Sequence, residues 1–428
     1  MSTAHMTEFR MCTIGEMSEP DFVPARPPSV RRHNLSLVLR HLRDRGPTSR
    51  AQVAAATGLT KATVSSLVNE LLNCGLVTEP GVQARGEFGR PGSVLAVDAT
   101  GCAGLGLEVN VDYLAVCVID FTGQTRFHRV DVVDNRAAPE KALGRLAHMA
   151  ETALHAASAQ GLLVRGMGVA LPGVVDVDRG MLLHAPNLGW RDLPVRQLIG
   201  AQVNLQPERV DVENEANLAA LAELWFGRGA EWGDYLHVSG EIGVGAGIVS
   251  GGRMVRGSHG FAGEAGHISI DMNGPACPCG ARGCLERYCG QEAILRAAGL
   301  DPTPATRTGQ PDGSIADLLT ALDAGRARPL RAVRRAGEAL GRGLAGAVNL
   351  LDVDTVVLGG IYSSLAPWLA EPFTDSLRRN TMTTRWAPTR VEVSELGADA
   401  AVRGAAELTI HRLLADPTAL SPLITCSA

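Results

Sequence analysis

The sequence predicts an α/β protein made of a small helical module and a larger body in which strands and helices alternate. At 428 residues the chain is too long for one ordinary core, so we expect two or three domains. Charge divides the chain in the same way, since residues 29–92 carry nine Lys and Arg against four Asp and Glu, a balance of +5. The whole chain carries −5, so the remainder carries −10, and we expect only the small module to meet a polyanion.

The composition favours a soluble globular protein of the cytoplasm, with 45% hydrophobic and 20% charged residues. No apolar run reaches about 18 residues, so the sequence predicts no membrane span and no membrane partner. Residues 1–28 lack the apolar core of a signal peptide and predict a disordered lead rich in proline and polar residues. Nine cysteines without an export signal favour a reducing compartment, where thiols bind metals rather than each other.

Residues 29–98 predict a winged helix-turn-helix. Apolar residues at i, i+3, i+4 and i+7 indicate a helix over 33–45. Ser49 and Gln52 have the spacing of a capping box for a second helix, and Thr60 caps a third after the turn at Gly58. The buried stripe predicted for the third helix is Val64, Leu67, Val68, Leu71 and Leu72. Two β-like stretches, GLVTE and SVLAVD, flank QARGEFGRPG and predict the wing.

A winged helix-turn-helix is typical of proteins that bind double-stranded DNA, with the N-terminal turn of the third helix nearest the bases in the major groove. The wing resembles Arg-Pro arms that enter narrow minor grooves. The predicted DNA contacts are Lys61, Thr63, Ser65 and Ser66 on the third helix, Arg50 and Thr60 at phosphates, and Arg85 and Arg90 in the wing. The alternative is a three-helix module that binds another protein.

The stretch GHISIDMNGPACPCGARGCLERYCG, residues 266–290, predicts a metal site. Its candidate ligands are His267, Cys277, Cys279 and Cys284. One residue between the first two cysteines disfavours a disulfide between them, whereas thiolates with an imidazole suit tetrahedral zinc. Four protein ligands leave no open position for water, so the zinc would be structural. The alternative is a set of free buried thiols, and Cys289 is predicted to be a packed helix residue.

In the rest of the chain, predicted strands alternate with predicted helices. Paired strands are predicted within 104–120 and 123–133, a long helix over 140–161, and strands within 164–176 and 209–214 before another helix. This alternation favours an α/β fold whose ligands bind at the carboxyl ends of strands.

Four segments of this body resemble the ROK family of repressors, open reading frames and sugar kinases. They are GEAGH at 263–267, CPCGARGCLE at 277–286, NEAN at 214–217 and VLGG at 357–360. The resemblance covers about residues 100–410, and an added winged helix-turn-helix is typical of the repressor branch, which includes xylose and N-acetylglucosamine repressors. It implies a two-lobed actin-like (sugar kinase/ribonuclease H-like) domain over 99–428. Lobe 1 would span about 99–225 plus a C-terminal part, and lobe 2 about 226–395 with the zinc loop 267–286.

The resemblance also implies a sugar site between the lobes. The implied sugar-binding residues are Asn214 with Glu215, Glu264 with His267, Glu286, and, in cleft-facing loops, Gly173 and Asn187. Amides and carboxylates match sugar hydroxyls, which both donate and accept. Zinc on one ring nitrogen of His267 would leave the other for a hydroxyl. The alternatives are a helix N-terminal acid for Glu215, a solvated loop acid for Glu264 and a surface charge for Glu286.

The sequence departs from the family's kinases where ATP phosphates would bind. Their D-x-G-G-T turn is replaced by EVNVD at 108–112, which has no glycine and ends on Asp112, a charge that repels phosphate. Their G-T-G loop is replaced by EIG at 241–243. Their catalytic aspartate is replaced by Glu215, which is one methylene longer. We therefore expect sugar binding without enzymatic activity.

The sequence thus predicts a sugar-responsive DNA-binding regulator, most simply a repressor of carbohydrate metabolism genes. A monosaccharide or sugar phosphate would bind between the lobes, and a homodimer or homotetramer would bind a double-stranded DNA operator. One alternative is an ATP-dependent sugar kinase with a regulatory DNA-binding arm. Another is a scaffold in which zinc only staples a loop. The segment 299–313 is expected to be a surface insertion and has no assigned role.

Overall fold

A computed structural model describes residues 27–82, 93–136, 138–302 and 313–418. The predicted wing residues Arg85 and Arg90 lie outside the described residues, as do most of the predicted lead and most of the 299–313 insertion. Within the described ranges, no helix is both long enough and apolar enough to span a bilayer.

The chain alternates helices and strands as the sequence predicts. The helices are α1 (Pro27–Arg45), α2 (Arg50–Thr57), α3 (Lys61–Asn73), α4 (Pro139–Ala159), α5 (Val195–Gln202), α6 (Glu215–Phe226), α7 (Gly229–Trp232), α8 (Glu286–Cys289), α9 (Gln291–Ala298), α10 (Gly313–Asp323), α11 (Ala327–Leu351), α12 (Ile361–Asn380) and α13 (Ala400–Ala415). The strands are β1 (Thr48–Ser49), β2 (Val77–Val82), β3 (Ser93–Val97), β4 (Ala103–Val109), β5 (Tyr113–Asp120), β6 (Thr125–Val132), β7 (Val164–Leu171), β8 (Val174–Asp176), β9 (Met181–Ala185), β10 (Trp190–Leu193), β11 (Val210–Asn214), β12 (Tyr235–Gly240), β13 (Val244–Ser250), β14 (Arg253–Met254), β15 (Thr355–Gly360) and β16 (Arg390–Val393).

The small module has the predicted helices and a three-stranded sheet in the order β1-β3-β2. Ser49 and Gln52 form the predicted capping box, and the side chain of Thr60 accepts a hydrogen bond from the Thr63 backbone N–H. The predicted stripe of α3 is buried except for Leu72, which is half-buried. Helix α1 begins at Pro27, earlier than predicted. The apolar pattern missed this start because the first turns of the helix are polar and show no apolar periodicity.

Two five-stranded sheets repeat one plan in the body. Their orders are β6-β5-β4-β7-β11 and β14-β13-β12-β15-β16, each with two antiparallel pairings followed by two parallel ones. The sheets face each other across two helices, with α13 on the first sheet and α6 on the second. Glycines permit this close approach, since a Cβ on Gly106 would lie 2.1 Å from the Val402 carbonyl oxygen and one on Gly247 would lie 2.5 Å from the Ala220 Cβ.

The core of the small module is continuous with the C-terminal helix of the body. Apolar residues of α1 and α3 pack with residues of β5 and α13 in a single cluster. At the edge of this cluster Ser36 donates to the Leu414 carbonyl at 2.6 Å, and the guanidinium of Arg43 pairs with the fully buried carboxylate of Glu407. Helix α13 therefore connects the helix-turn-helix to the layer between the two sheets.

Candidate functional site

A cleft opens between the two sheets at the carboxyl ends of their parallel strands. It encloses about 650 Å³, counting the space open to solvent at its mouth. The structure brings all the predicted sugar-binding residues to its wall, namely Gly173, Asn187, Asn214, Glu215, Glu264, His267 and Glu286. Strand ends of an α/β sheet are where ligands usually bind, which is why residues distant in sequence meet here.

Asn214 is held by the backbone around it. It ends β11, and its Oδ1 accepts from the backbone N–H groups of Ala216 and Asn217 at 2.8 and 3.1 Å, so it caps α6. Its Nδ2 donates to the Gly173 carbonyl at 2.9 Å. Gly173 has φ +93° and a Cβ there would lie 2.3 Å from the His184 carbonyl oxygen, so only glycine fits. Because the Asn214 oxygen already accepts twice and one Nδ2 hydrogen goes to Gly173, this side chain can offer a ligand only its second Nδ2 hydrogen.

Glu215 is the first residue of α6, as the alternative of a helix N-terminal acid requires, and it also lines the cleft, so its role in sugar binding stays a prediction. Its Oε2 is buried and has no hydrogen-bond partner among the described residues. Burial raises the pKa of this carboxyl to about 8, and the nearby carboxylates of Glu108, Glu264 and Asp112 add to the shift. At neutral pH the Glu215 carboxyl is therefore mostly protonated and can both donate and accept.

His267 and Glu264 lie together on a 3-10 turn over Ala265–His267. The Nδ1 of His267 is 3.8 Å from the Cys277 sulfur, whereas its Nε2 is 3.8 Å from an oxygen of Glu264. One ring nitrogen thus faces the cysteines and the other faces a carboxylate of the cleft wall. Zinc on one nitrogen and a sugar hydroxyl on the other, as the sequence analysis expects, stay a prediction.

The four predicted metal ligands form one cluster. The donor atoms of His267, Cys277, Cys279 and Cys284 all lie within 4.8 Å of one another. The sulfurs of Cys279 and Cys284 are 3.7 Å apart, far beyond the roughly 2.05 Å of a disulfide bond. Two isolated antiparallel β-bridges pair the backbone of the loop, one between Ser269 and Cys284 and the other between Ala276 and Arg282. These residues could hold a metal ion, and two thiolates placed tetrahedrally about 2.3 Å from a zinc ion would be ~3.8 Å apart.

Glu286 links the cysteine loop to the cleft. It begins α8, is 7% exposed and accepts a hydrogen bond from the Cys277 thiol at 3.0 Å. The burial of Glu286 excludes the alternative that it is a surface charge. Gly243 makes room for it, since a Cβ there would lie 2.7 Å from Glu286 Oε2 and 3.0 Å from Asn187 Nδ2. Cys289 is fully buried and donates to the Leu285 carbonyl, as predicted for a packed residue.

Sequence reasoning missed two polar residues of the cleft, Asn110 and Glu241. Asn110 follows β4 and Glu241 follows β12, so their place after a buried strand was the available signal. Both lie in segments that the sequence comparison with kinases had treated only as lost phosphate loops.

A second cavity adjoins the cleft and shares Glu241 with it. It encloses about 900 Å³, again counting open solvent, and its polar lining includes Asp112, Glu241 and Asp399. No Lys or Arg is among the described residues that line it. A polyphosphate placed there would meet carboxylates where phosphoryl transfer needs cations.

Of the predicted DNA-contacting residues that the structure describes, all but Arg50 lie at the N-cap and in the first two turns of α3. Lys61 and Ser66 are exposed, and Thr63 and Ser65 are half-buried. Thr60 is exposed but its hydroxyl is used as the N-cap. Arg50 is held by Glu79 at 2.5 Å and by Ser93 at 2.9 Å, so the structure gives this guanidinium partners within the module.

Comparisons with known proteins agree with both parts of this architecture. Residues 104–412 match the ROK family model, and residues 36–86 match a MarR family model. A putative xylose repressor of Caldicellulosiruptor sp. (strain Rt8B.4) is 34% identical, with 91% of this chain and 98% of that protein covered.

Two solved structures are also similar to this chain. A ROK family transcriptional regulator, described as a homolog of the E. coli MLC protein, has a TM-score of 0.73 at 26% identity over 90% of this chain and 97% of that one. A ROK family glucokinase from Streptomyces griseus, in complex with glucose and AMPPNP, has a TM-score of 0.62 at 29% identity over 72% of this chain and 98% of that one. The predicted winged helix-turn-helix and actin-like fold are thereby confirmed. The chain belongs to the ROK family.

Proposed function

We propose that this protein is a sugar-responsive repressor that binds operator DNA of carbohydrate metabolism genes in the cytoplasm. The observation that carries the proposal is the joining of a polar cleft and a winged helix-turn-helix through one helix, α13, in a chain similar over most of its length to a xylose repressor and a ROK regulator. The effector would be a monosaccharide or a sugar phosphate.

The cleft supports sugar binding because it combines donors and acceptors. Asn214 offers its second Nδ2 hydrogen, and Glu215, Glu264 and Glu286 place carboxyl groups in the wall of the cleft. A sugar hydroxyl donates and accepts at once, so such a mixed wall suits it better than a wall of one sign.

The cysteine loop supports a structural zinc ion held by His267, Cys277, Cys279 and Cys284. A bound zinc ion would keep the cysteines as thiolates and fix the tautomer of His267. With Nδ1 towards the metal, the Nε2 of His267 would carry the hydrogen and could donate to a sugar hydroxyl beside Glu264. The metal would therefore shape the cleft without taking part in a reaction.

The second cavity supports a regulator rather than a kinase. Its carboxylates and the absence of Lys and Arg from its described lining disfavour ATP phosphates. A kinase remains the second candidate because the chain is similar to a solved glucokinase. A coupled assay over a panel of hexoses and pentoses separates the two, since only a kinase transfers phosphate from ATP to a sugar and so releases ADP in a sugar-dependent way.

Helices α6 and α13 offer a physical connection between sugar and DNA. Helix α6 begins at Glu215 in the cleft wall and packs against α13, where Trp225 stacks on His411 with ring centroids 4.0 Å apart. Helix α13 then packs against α1 and holds Arg43 through Glu407. A sugar that favours one closure of the lobes would reposition the DNA-binding modules of a homodimer or homotetramer and change operator affinity.

The experiment that tests this function combines a thermal-shift screen of monosaccharides with a chelator arm. We expect at least one monosaccharide to raise the melting temperature, and we expect removal of zinc to abolish that shift. A sugar-induced shift that persists without metal would refute the role of the loop, and no shift with any sugar or sugar phosphate would refute the sugar-responsive function.

A further inference from the structure

A further space adjoins the cleft beside the cysteine loop, and we call it the side cavity. It encloses about 590 Å³, against about 650 Å³ for the cleft, both counting the space open to solvent. The two spaces share four lining residues, namely Pro186, Asn187, Ile242 and Glu286. Two spaces of similar size with a common wall suit two connected units of one ligand.

Two of the shared residues, Asn187 and Glu286, are among the sugar-binding residues that the sequence analysis predicts. Both approach Gly243, where a Cβ would lie 3.0 Å from Asn187 Nδ2 and 2.7 Å from Glu286 Oε2. The side-chain amide of Asn187 has no hydrogen-bond partner among the described residues, so its oxygen and its nitrogen are both available to a ligand. The boundary between the cleft and the side cavity is therefore polar and can bind hydroxyl groups.

The rest of the wall of the side cavity carries both signs of charge. It consists of Arg136, Pro278, Arg287, Glu292 and Ala293. The guanidinium of Arg287 has no hydrogen-bond or ion-pair partner among the described residues, whereas that of Arg136 donates to Glu292 at 3.1 Å. Because the two arginines are balanced by Glu286 and Glu292, an anion gains little net attraction here. The hydroxyls of a neutral sugar find both donors and acceptors.

We propose that the side cavity is a second sugar subsite, so that the chain binds a disaccharide with one ring in the cleft and the other in the side cavity. The inference rests on the proposed sugar-binding function and adds to it the length of the ligand. A monosaccharide occupies the cleft alone. In a disaccharide the glycosidic bond holds the second ring beside its subsite, so that ring binds without the entropic cost of a separate association.

The side cavity also gives the second ring contacts on both lobes. Arg136 and Asn187 belong to the lobe built on the first sheet, whereas Arg287 and Glu292 lie on α8 and α9 in the other lobe. The ion pair of Arg136 with Glu292 already joins the two lobes at this cavity. We expect a disaccharide bound there to favour one closure of the lobes more strongly than a monosaccharide does, and so to change DNA affinity more.

The test compares two monosaccharides with disaccharides built from them, namely D-xylose with xylobiose, and D-glucose with cellobiose and maltose. Calorimetric titration of the zinc-loaded full-length chain is expected to give at least one disaccharide a dissociation constant at least about 10-fold below that of its monosaccharide. Ala293→Trp fills the side cavity from α9 and is expected to bring the two constants within about threefold, mainly through weaker disaccharide binding. The matched control is Ala297→Trp, which adds the same bulk one turn later on α9, at an exposed position outside both linings, and is expected to keep the ratio.

Arg287→Ala removes the unpartnered guanidinium and is expected to weaken disaccharide binding about 10-fold, which also covers the case in which Ala293→Trp fails to fold. Disaccharides that all bind no more tightly than their monosaccharides would overturn the inference, as would a ratio that survives both Ala293→Trp and Arg287→Ala. Either result would leave the sugar-responsive function standing if a monosaccharide still altered DNA binding. Binding of no sugar, together with no sugar effect on DNA, would overturn both.

Discussion

The cleft and the second cavity are neighbours that share Glu241, yet their walls differ in chemistry. The cleft mixes three asparagines, a histidine and carboxyl groups, including that of Glu215, whose pKa burial raises to about 8, and it lies against a loop that could hold a metal ion. The polar wall of the second cavity is dominated by Asp112, Glu241 and Asp399. A cavity can persist in a fold while its chemistry changes, so the lining residues decide which ligand each one binds.

Loss of a metal ligand is expected to have the largest effect, on the stability of the fold and, of the two cavities, on the cleft alone. Cys284→Ser replaces a fully buried donor, so we expect a loss of about 4 kcal/mol in the free energy of unfolding and no sugar binding. Zinc content, urea unfolding and calorimetry measure this. Cys74→Ser, which changes an exposed thiol outside the loop, is the control and should match the wild type. Full sugar affinity in metal-free Cys284→Ser would show that sugar binding does not need the metal.

A substitution in the DNA-binding module is expected to change DNA affinity without changing ligand binding in either cavity. Lys61→Ala removes an exposed charge at the start of α3, so we expect about a 10-fold loss of DNA affinity at fixed salt with sugar affinity unchanged. Fluorescence anisotropy with DNA from upstream of the gene measures the first quantity. The matched control is Lys141→Ala, an exposed lysine on α4 in the acidic body, which should bind DNA normally. A larger loss in the control would place the DNA interface elsewhere.

The protonated carboxyl of the cleft predicts a smaller effect, seen as a pH dependence of stability. Burial raises the pKa of Glu215 from 4.5 to about 8, so the folded state holds the proton more tightly than the unfolded state. The stabilisation of the folded state by this tighter proton binding is complete below about pH 4.5 and is lost as the pH rises through about 8. Urea unfolding between pH 5 and pH 9 should show this decline, with a shallower slope in Glu215→Gln. Equal slopes in both proteins would show that the carboxyl is not protonated.

Local patterns in the sequence sufficed for the elements whose stability is local. The capping box of Ser49 and Gln52 and the cap at Thr60 involve residues three positions apart, so spacing alone predicts them. The metal cluster was predictable for a similar reason, because three of its ligands lie within one short loop. The resemblance to a family then connected Asn214, Glu264 and Glu286, which are distant in sequence.

Other features depend on packing and could not be predicted. The Asn214 oxygen caps α6, and Arg50 pairs with Glu79. Both contacts depend on which groups the fold brings nearby. The pairing of Arg43 with buried Glu407 joins segments at opposite ends of the chain, and no sequence pattern marks it. Burial raises the pKa of Glu407 to about 7 despite that cation, which only the assembled fold reveals.

The central proposal is that the cleft binds a sugar and thereby controls DNA binding, whereas the second cavity does not bind a nucleotide. A titration of fluorescent upstream DNA at fixed salt tests it in three parallel arms, with protein alone, with D-xylose and with Mg-ATP. The account predicts at least about a 10-fold change in DNA affinity with the sugar, which corresponds to roughly 1.4 kcal/mol of coupling, and no change with Mg-ATP. An ATP-dependent change together with phosphorylated sugar as product would contradict it.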